Sequence, residues 1–204
     1  MGECPREGDP APDFEIGPGR RLSSLAGSPV VIYFYPRAFT AGCTRELRRF
    51  VELLGEFESL GATVVGVSAD PPGAVARFAA AHGARPPLFL VPDPARAVIG
   101  AYCAGSERGR GARRVTFVVG PDGRVAAVLE GLRRAEGHAD AALEAVRRLA
   151  ARRRGPGPAP RSRTPSACPS ARSRSAARPA RAASRGRAPA SRARAPRPRA
   201  ARRA

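Results

Sequence analysis

The stretch "YFYPRAFTAGCTREL", Tyr33 to Leu47, joins an apolar run to a helix-like one and sets a single cysteine, Cys43, at the join. Thr40 stands three residues before it, and no second cysteine lies at close spacing. A thiol in the first turn of a helix meets unpaired backbone N–H groups and the positive end of the helix dipole, and both favour the thiolate. Arg37 and Arg45 lie close by in sequence and add positive charge. The thiolate is the nucleophilic form, so this position suits covalent chemistry at sulfur. It suits equally a small buried apolar residue, the ordinary fate of a free cysteine.

The residues around the thiol narrow that chemistry. There is no Cys-x-x-Cys for dithiol exchange. His82 and His138 fall in helical patterns and read as solvated helix residues, without a cysteine-protease context. No group of Cys, His and acidic residues has metal spacing, and nothing implies a cofactor.

The elements that would position Cys43 alternate between strand and helix from about residue 12 to 151. "VVIYFY" (30–35) is a continuous β-branched and aromatic run, expected of a strand buried on both faces. Leu47, Phe50, Val51, Leu54, Phe57 and Leu60 then recur at helical intervals, predicting one amphipathic helix of about four to five turns that Gly61 ends. "TVVGVS" (63–68) and "LFLV" (88–91) read as strands, and "PPGAVARFAAAH" (71–82) and "PARAVIGAY" (94–102) as helices. "RVTFVVGPDGRVAAVLEG" (114–131) reads as a hairpin turned at Pro-Asp-Gly, and "GHADAALEAVRRLAARR" as a closing helix. The early order implies parallel strands with right-handed crossovers, and the hairpin adds an antiparallel pair. The fold expected is α/β, a thioredoxin-like mixed sheet with helices on both faces.

Composition separates this domain, residues 1–151, from a tail over 152–204. All 17 acidic residues precede position 152 and face 19 basic ones, a formal net charge of +2. The remaining 53 residues hold 17 arginines, no acid, no aromatic and no aliphatic larger than alanine. Such a segment cannot bury enough surface to offset its ordering entropy and is expected to be disordered. It reads first as a solvated tail or a GC-rich reading-frame extension with no selected role, and second as a segment that binds polyanions such as nucleic acid through phosphate neutralisation, without sequence selectivity. Every basic residue is arginine, a coding bias rather than a choice of arginine chemistry. No apolar run approaches the ~20 residues of a membrane span, and the first residues lack a secretory pattern. Four widely spaced cysteines do not make a disulfide framework, so a reducing compartment, the cytoplasm, is expected.

One set of motifs is more specific. "YPRAFTAGC" contains Pro-x-x-x-Thr-x-x-Cys as Pro36, Thr40 and Cys43, which resembles the active-site motif of the peroxiredoxins. "GDPAPDFEI", "GVSAD" and "RVTFVVGPDG" resemble the same family in order and spacing. "FYPRAFTAGCTRE" is most similar to the bacterioferritin comigratory protein, or peroxiredoxin Q, subfamily. The resemblance spans roughly residues 8 to 150 and leaves out the tail. It implies that Cys43 is the peroxidatic nucleophile, oxidised by a hydroperoxide to a sulfenic acid. Thr40 would align the oxygen–oxygen bond with sulfur, and Arg114 would hold the thiolate and stabilise the leaving oxygen. Pro36 would shield the pocket and leave the Gly42 and Cys43 N–H groups as donors, with Glu46 in a secondary role.

The chain departs from that pattern at the second thiol. Arg48 stands where many subfamily members carry a resolving cysteine, and "PPGAVARFAAAH" lacks the other common one. Cys103, where the family often has glycine, reads as a packing residue, while Cys4 and Cys168 lie in the arm and the tail. The expected enzyme is therefore a one-cysteine peroxidase, monomer or weak dimer, reduced by thioredoxin, glutaredoxin or a low-molecular-weight thiol. The alternative is a thioredoxin-fold redox sensor or polyanion-associated protein without efficient turnover.

Overall fold

The computed structural model describes residues 3–107, 109 and 111–153. The chain runs β1 (Glu15–Gly17), β2 (Arg20–Arg21), a 3-10 turn (Leu22–Leu25), β3 (Val30–Phe34), α1 (Ala41–Glu52), α2 (Leu54–Ser59), β4 (Thr63–Ser68), α3 (Pro72–Ala81), β5 (Leu88–Pro92), α4 (Ala97–Ala101), β6 (Val115–Val119), β7 (Val125–Glu130) and α5 (Gly137–Arg153). The five-stranded sheet has the order β5-β4-β3-β6-β7. β3 pairs in parallel with β4, and β4 with β5, whereas β6 is antiparallel to both β3 and β7.

Side-chain parity divides the core into two layers, because successive strand residues point to opposite faces. Val31, Tyr33 and Tyr35 join Cys43, Leu47 and Phe50 of α1, Leu54 and Phe57 of α2, and the α5 residues Ala139, Ala142, Leu143 and Val146. Val30, Ile32 and Phe34 face the other way, toward Phe14, Leu22, Ile99, Tyr102 and Phe117. Every β3 residue is buried, as the unbroken apolar run demands. Tyr33 stacks on Phe50 with ring centroids 4.3 Å apart. Its ring needs Gly66 across the strand pair, where a Cβ would approach the tyrosine to 2.5 Å.

Three expectations need correction, and one feature went unread. The helix expected to continue through Leu60 breaks at Leu53, which caps α1 with φ −87° and ψ 1° before α2 resumes. The apolar spacing carries through the break, so periodicity alone does not show it. The arm and hairpin before β3, with β1 antiparallel to β2, went unread because these strands are two or three residues long. His138 is not a solvated helix residue: it is 1% exposed, and its Nδ1 lies 3.0 Å from the Thr116 hydroxyl. His82, by contrast, is half-buried and meets Phe78 edge to face. Cys103 is not merely a packing residue, since it forms a disulfide with Cys4, Cα to Cα 5.4 Å.

The closing helix runs to Arg153, two residues past the expected domain end. The rest of the basic segment, with Cys168, lies outside the described residues.

Candidate active site

Three elements bring the sequence-predicted residues together. β3 delivers the chain at Tyr35 to the loop 36–40, and Thr40, in extended conformation (φ −77°, ψ 151°), caps α1. Its carbonyl accepts the Thr44 N–H at 2.9 Å, the first bond of the helix. Cys43 is the third residue of α1, where backbone N–H groups still lack intrahelical partners. The third element is β6. Phe34 pairs with Val115, so one step further along this antiparallel ladder Arg114 stands opposite Tyr35, at the carboxyl end of β3. Arg114 shares the parity of Thr116 and Val118, which places it on the Cys43 face.

The guanidinium closes the site. Arg114 Nη2 donates to Cys43 Sγ at 3.4 Å, and Nη1 donates to Glu46 Oε2 in an ion pair. Gly42 leaves the space for it: a Cβ there would sit 3.3 Å from Arg114 Nη2. Cys43 is free and 2% exposed, while the Arg114 side chain keeps 21% of its surface and reaches the mouth. Glu46 is fully buried, with Oε1 unpartnered among the described residues. Burial outweighs the attraction of Arg114 and pushes its carboxyl up to about 8. Arg45 pairs instead with Glu136, just before α5, at 2.7 Å.

The loop carrying Pro36 and Thr40 is held from below. Asp70, just beyond β4, accepts the Ala38 N–H at 2.7 Å and the Ser68 hydroxyl at 3.0 Å. The Thr40 hydroxyl donates to the Arg37 carbonyl at 3.0 Å, which spends its one proton and leaves its lone pairs to accept. Pro36 is exposed at the rim. Gly111 lies against it so closely that a Cβ would come within 3.0 Å of the Pro36 carbonyl oxygen. A cleft of about 600 Å³, lined by Pro36, Arg37, Asp70, Pro71, Ser106 and Gly111, opens beside the loop.

A buried sulfur at a helix start, touched by one guanidinium and approached through a rigid polar loop, suits attack on a small electrophile. Comparison with known proteins agrees. The AhpC/TSA family matches residues 8–128. This chain belongs to that family. It is a peroxiredoxin of the bacterioferritin comigratory protein or peroxiredoxin Q type, a thiol peroxidase that uses a hydroperoxide and a thiol reductant. It is 36% identical over 150 residues to peroxiredoxin Bcp of Xanthomonas campestris pv. campestris, an alignment covering 68% of this chain and 92% of that one. It is 29% identical over 143 residues to peroxiredoxin Bcp of Escherichia coli strain K12, covering 65% and 90%. The crystal structure of peroxidoxin BcpB from Mycobacterium tuberculosis superposes with a TM-score of 0.64 at 34% identity, over 71% of this chain and 98% of that one.

Within this peroxiredoxin, sequence reasoning missed Asp70, Gly111 and the Thr116–His138 pair. Asp70 is the last letter of "GVSAD", a motif matched without a role. Nothing local announces Gly111 or His138, because their partners lie 75 and 22 residues away in the chain.

Proposed function

We propose that Cys43 reduces hydroperoxides in a one-cysteine cycle completed by an outside thiol. The observation that carries this reading is the Arg114 guanidinium donating to a free Cys43 sulfur at a helix start. In the first half-reaction the Cys43 thiolate attacks the terminal oxygen of ROOH. The sulfur–oxygen bond forms as the oxygen–oxygen bond breaks, and ROH leaves after taking a proton. Arg114 and the N–H groups of Gly42 and Cys43 oppose the charge that moves from sulfur to the departing oxygen. The open lone pairs of the Thr40 hydroxyl accept the peroxide proton and fix the direction of attack. Pro36 keeps water from the far side of the loop.

The second half-reaction needs another molecule. Cys103 is tied to Cys4, and its neighbours Tyr102 and Ala104 belong to the core layer opposite that of Cys43. Arg48 holds the position where related chains have a resolving thiol. Thioredoxin, glutaredoxin or a small thiol then attacks the sulfenic sulfur, water leaves, and a second thiol equivalent releases Cys43. A protein reductant cannot touch a sulfur that is 2% exposed, so the first turn of α1 must open at this stage.

Steady-state consumption of hydrogen peroxide with thioredoxin, thioredoxin reductase and NADPH tests the reading. Turnover that Cys43→Ser abolishes is expected. A single stoichiometric reaction with every thiol offered would make the protein a sensor and reject the cycle.

A further inference from the structure

We propose that Cys4 and Cys103 form a second thiol–disulfide site, separate from the peroxidase centre, that latches the N-terminal arm onto the segment leading into Arg114. The arm lies along β7, one of the two edge strands of the sheet. Gly8 N–H donates to Val125 O at 2.8 Å, Val125 N–H to Asp9 O at 2.9 Å, and Ala11 N–H to Gly123 O at 3.0 Å. These bonds begin at Gly8. The disulfide extends the hold back to Cys4, across to the turn after α4.

Cys103 itself carries the second observation. Its backbone is left-handed, φ +48°, a conformation that favours glycine and strains a residue with a Cβ. A cross-link that ties this residue down offsets that strain. What Cys103 holds is the run-in to the catalytic arginine. Its carbonyl accepts Arg113 Nε at 3.3 Å, and the carbonyl of Ala104 accepts the Arg113 N–H at 2.7 Å. Arg113 also pairs with Glu130 at the end of β7. The next residue is Arg114, whose guanidinium meets Cys43. With the disulfide open, residues 3–5 lose their anchor and Arg6 keeps only its bonds to Asp9, the left-handed turn relaxes, and Arg114 is held less closely.

The site is open to exchange because Cys4 is exposed and Cys103 half-buried. A dithiol reductant attacks the Cys4 sulfur and Cys103 leaves as a thiol. The reductant's second sulfur then displaces Cys4, so two electrons and two protons pass from dithiol to protein. In the reverse direction the Cys4 thiolate takes one oxygen from a hydroperoxide, releasing ROH. Cys103 attacks the resulting sulfenic sulfur and water leaves. The latch is thus closed under the oxidant load that the peroxidase meets, and opened as reductant accumulates.

The test uses the full chain. In Cys43→Ser protein, one equivalent of hydrogen peroxide followed by alkylation and a non-reducing peptide map is expected to show Cys4 joined to Cys103. Dithiothreitol is expected to leave both alkylated and to speed native trypsin cleavage after Arg6 several-fold. In single turnover, Cys4→Ser and Cys103→Ser are each expected to slow the reaction of Cys43 with hydrogen peroxide by about threefold, and the double variant no further. Cys103→Gly, which removes the strain with the cross-link, is expected to keep the wild-type rate while its arm is cleaved as fast as that of Cys4→Ser. Free Cys4 and Cys103 thiols after peroxide, or a Cys4→Ser variant as fast as wild type, would overturn the latch. Failure of the peroxidase reading is distinguishable: wild-type protein would then show no turnover with any thiol, or turnover would survive in Cys43→Ser, while the Cys4–Cys103 peptide map would stay as expected.

Discussion

At the residue scale, Cys43, the proposed nucleophile, and Arg114, its cation, come from points 71 residues apart and meet at 3.4 Å. In the proposed reaction, charge that leaves sulfur stays within reach of one guanidinium, which assigns Arg114 a part throughout the oxygen transfer. Replacing it by alanine is expected to slow peroxide reduction by about 10²–10³-fold, the usual loss for one such donor, as measured by competition or stopped-flow kinetics. Glu46 holds the other side of that guanidinium and is a buried group with a pH signature. Its folded value, about 8, lies above the ordinary 4.5 because burial penalises the carboxylate. Its contribution to stability is therefore fully present below about pH 4.5 and is lost as pH rises through about 8. Glu46→Gln removes this dependence. The stability of the variant relative to wild type, from urea unfolding, is expected to rise steadily from pH 5 to pH 8.5. A constant difference across that range would show that Glu46 is ionised throughout.

At the scale of elements, the start of α5 fixes the two supports of the site against each other. Glu136 pairs with Arg45 and Asp140 with Arg49, both on α1, while His138 reaches Thr116 on β6, two residues beyond Arg114. Burial, with the Arg114 charge adding to it, lowers His138 from 6.5 to about 4. The folded protein then binds fewer protons than the unfolded chain between those values, so stability falls as pH drops from about 6.5 to 4. Glu46 works in the opposite sense over part of the same window. His138→Asn retains a polar partner for Thr116 and is expected to flatten the acid side of the stability profile, with thermal unfolding midpoints at pH 4.5 and 7 as the check. The five strands β3 to β7, the Pro-Asp-Gly hairpin and α5 were legible in the sequence because each has a local period or turn signal, whereas β1 and β2 are too short to carry one. The break at Leu53 and the burial of His138 were not. Both depend on what packs against the helix, and apolar spacing does not encode the neighbour.

For the molecule as a whole, the sheet order creates the site. Inserting β6 antiparallel beside β3 brings Arg114 to the carboxyl end of β3, where the Cys43 helix begins. Alternation of side chains then keeps Cys43 and Arg114 on one layer and Tyr102 and Ala104, which flank Cys103, on the other. The family resemblance named Pro36, Thr40, Cys43 and Arg114, and the fold brings Arg114 to Cys43 and Thr40 to the start of its helix, while this partition of thiols between faces needed the fold. Among the described residues this division keeps the Cys4–Cys103 pair away from Cys43, which supports the proposed cycle with an outside thiol. The most direct test is to add one equivalent of hydrogen peroxide in the presence of dimedone and map the labelled peptides. A dimedone adduct on Cys43 in near-stoichiometric yield, lost on adding a thiol reductant first, is the predicted result. An unmodified Cys43, or Cys43 joined by a disulfide to another cysteine of the same chain, would contradict it.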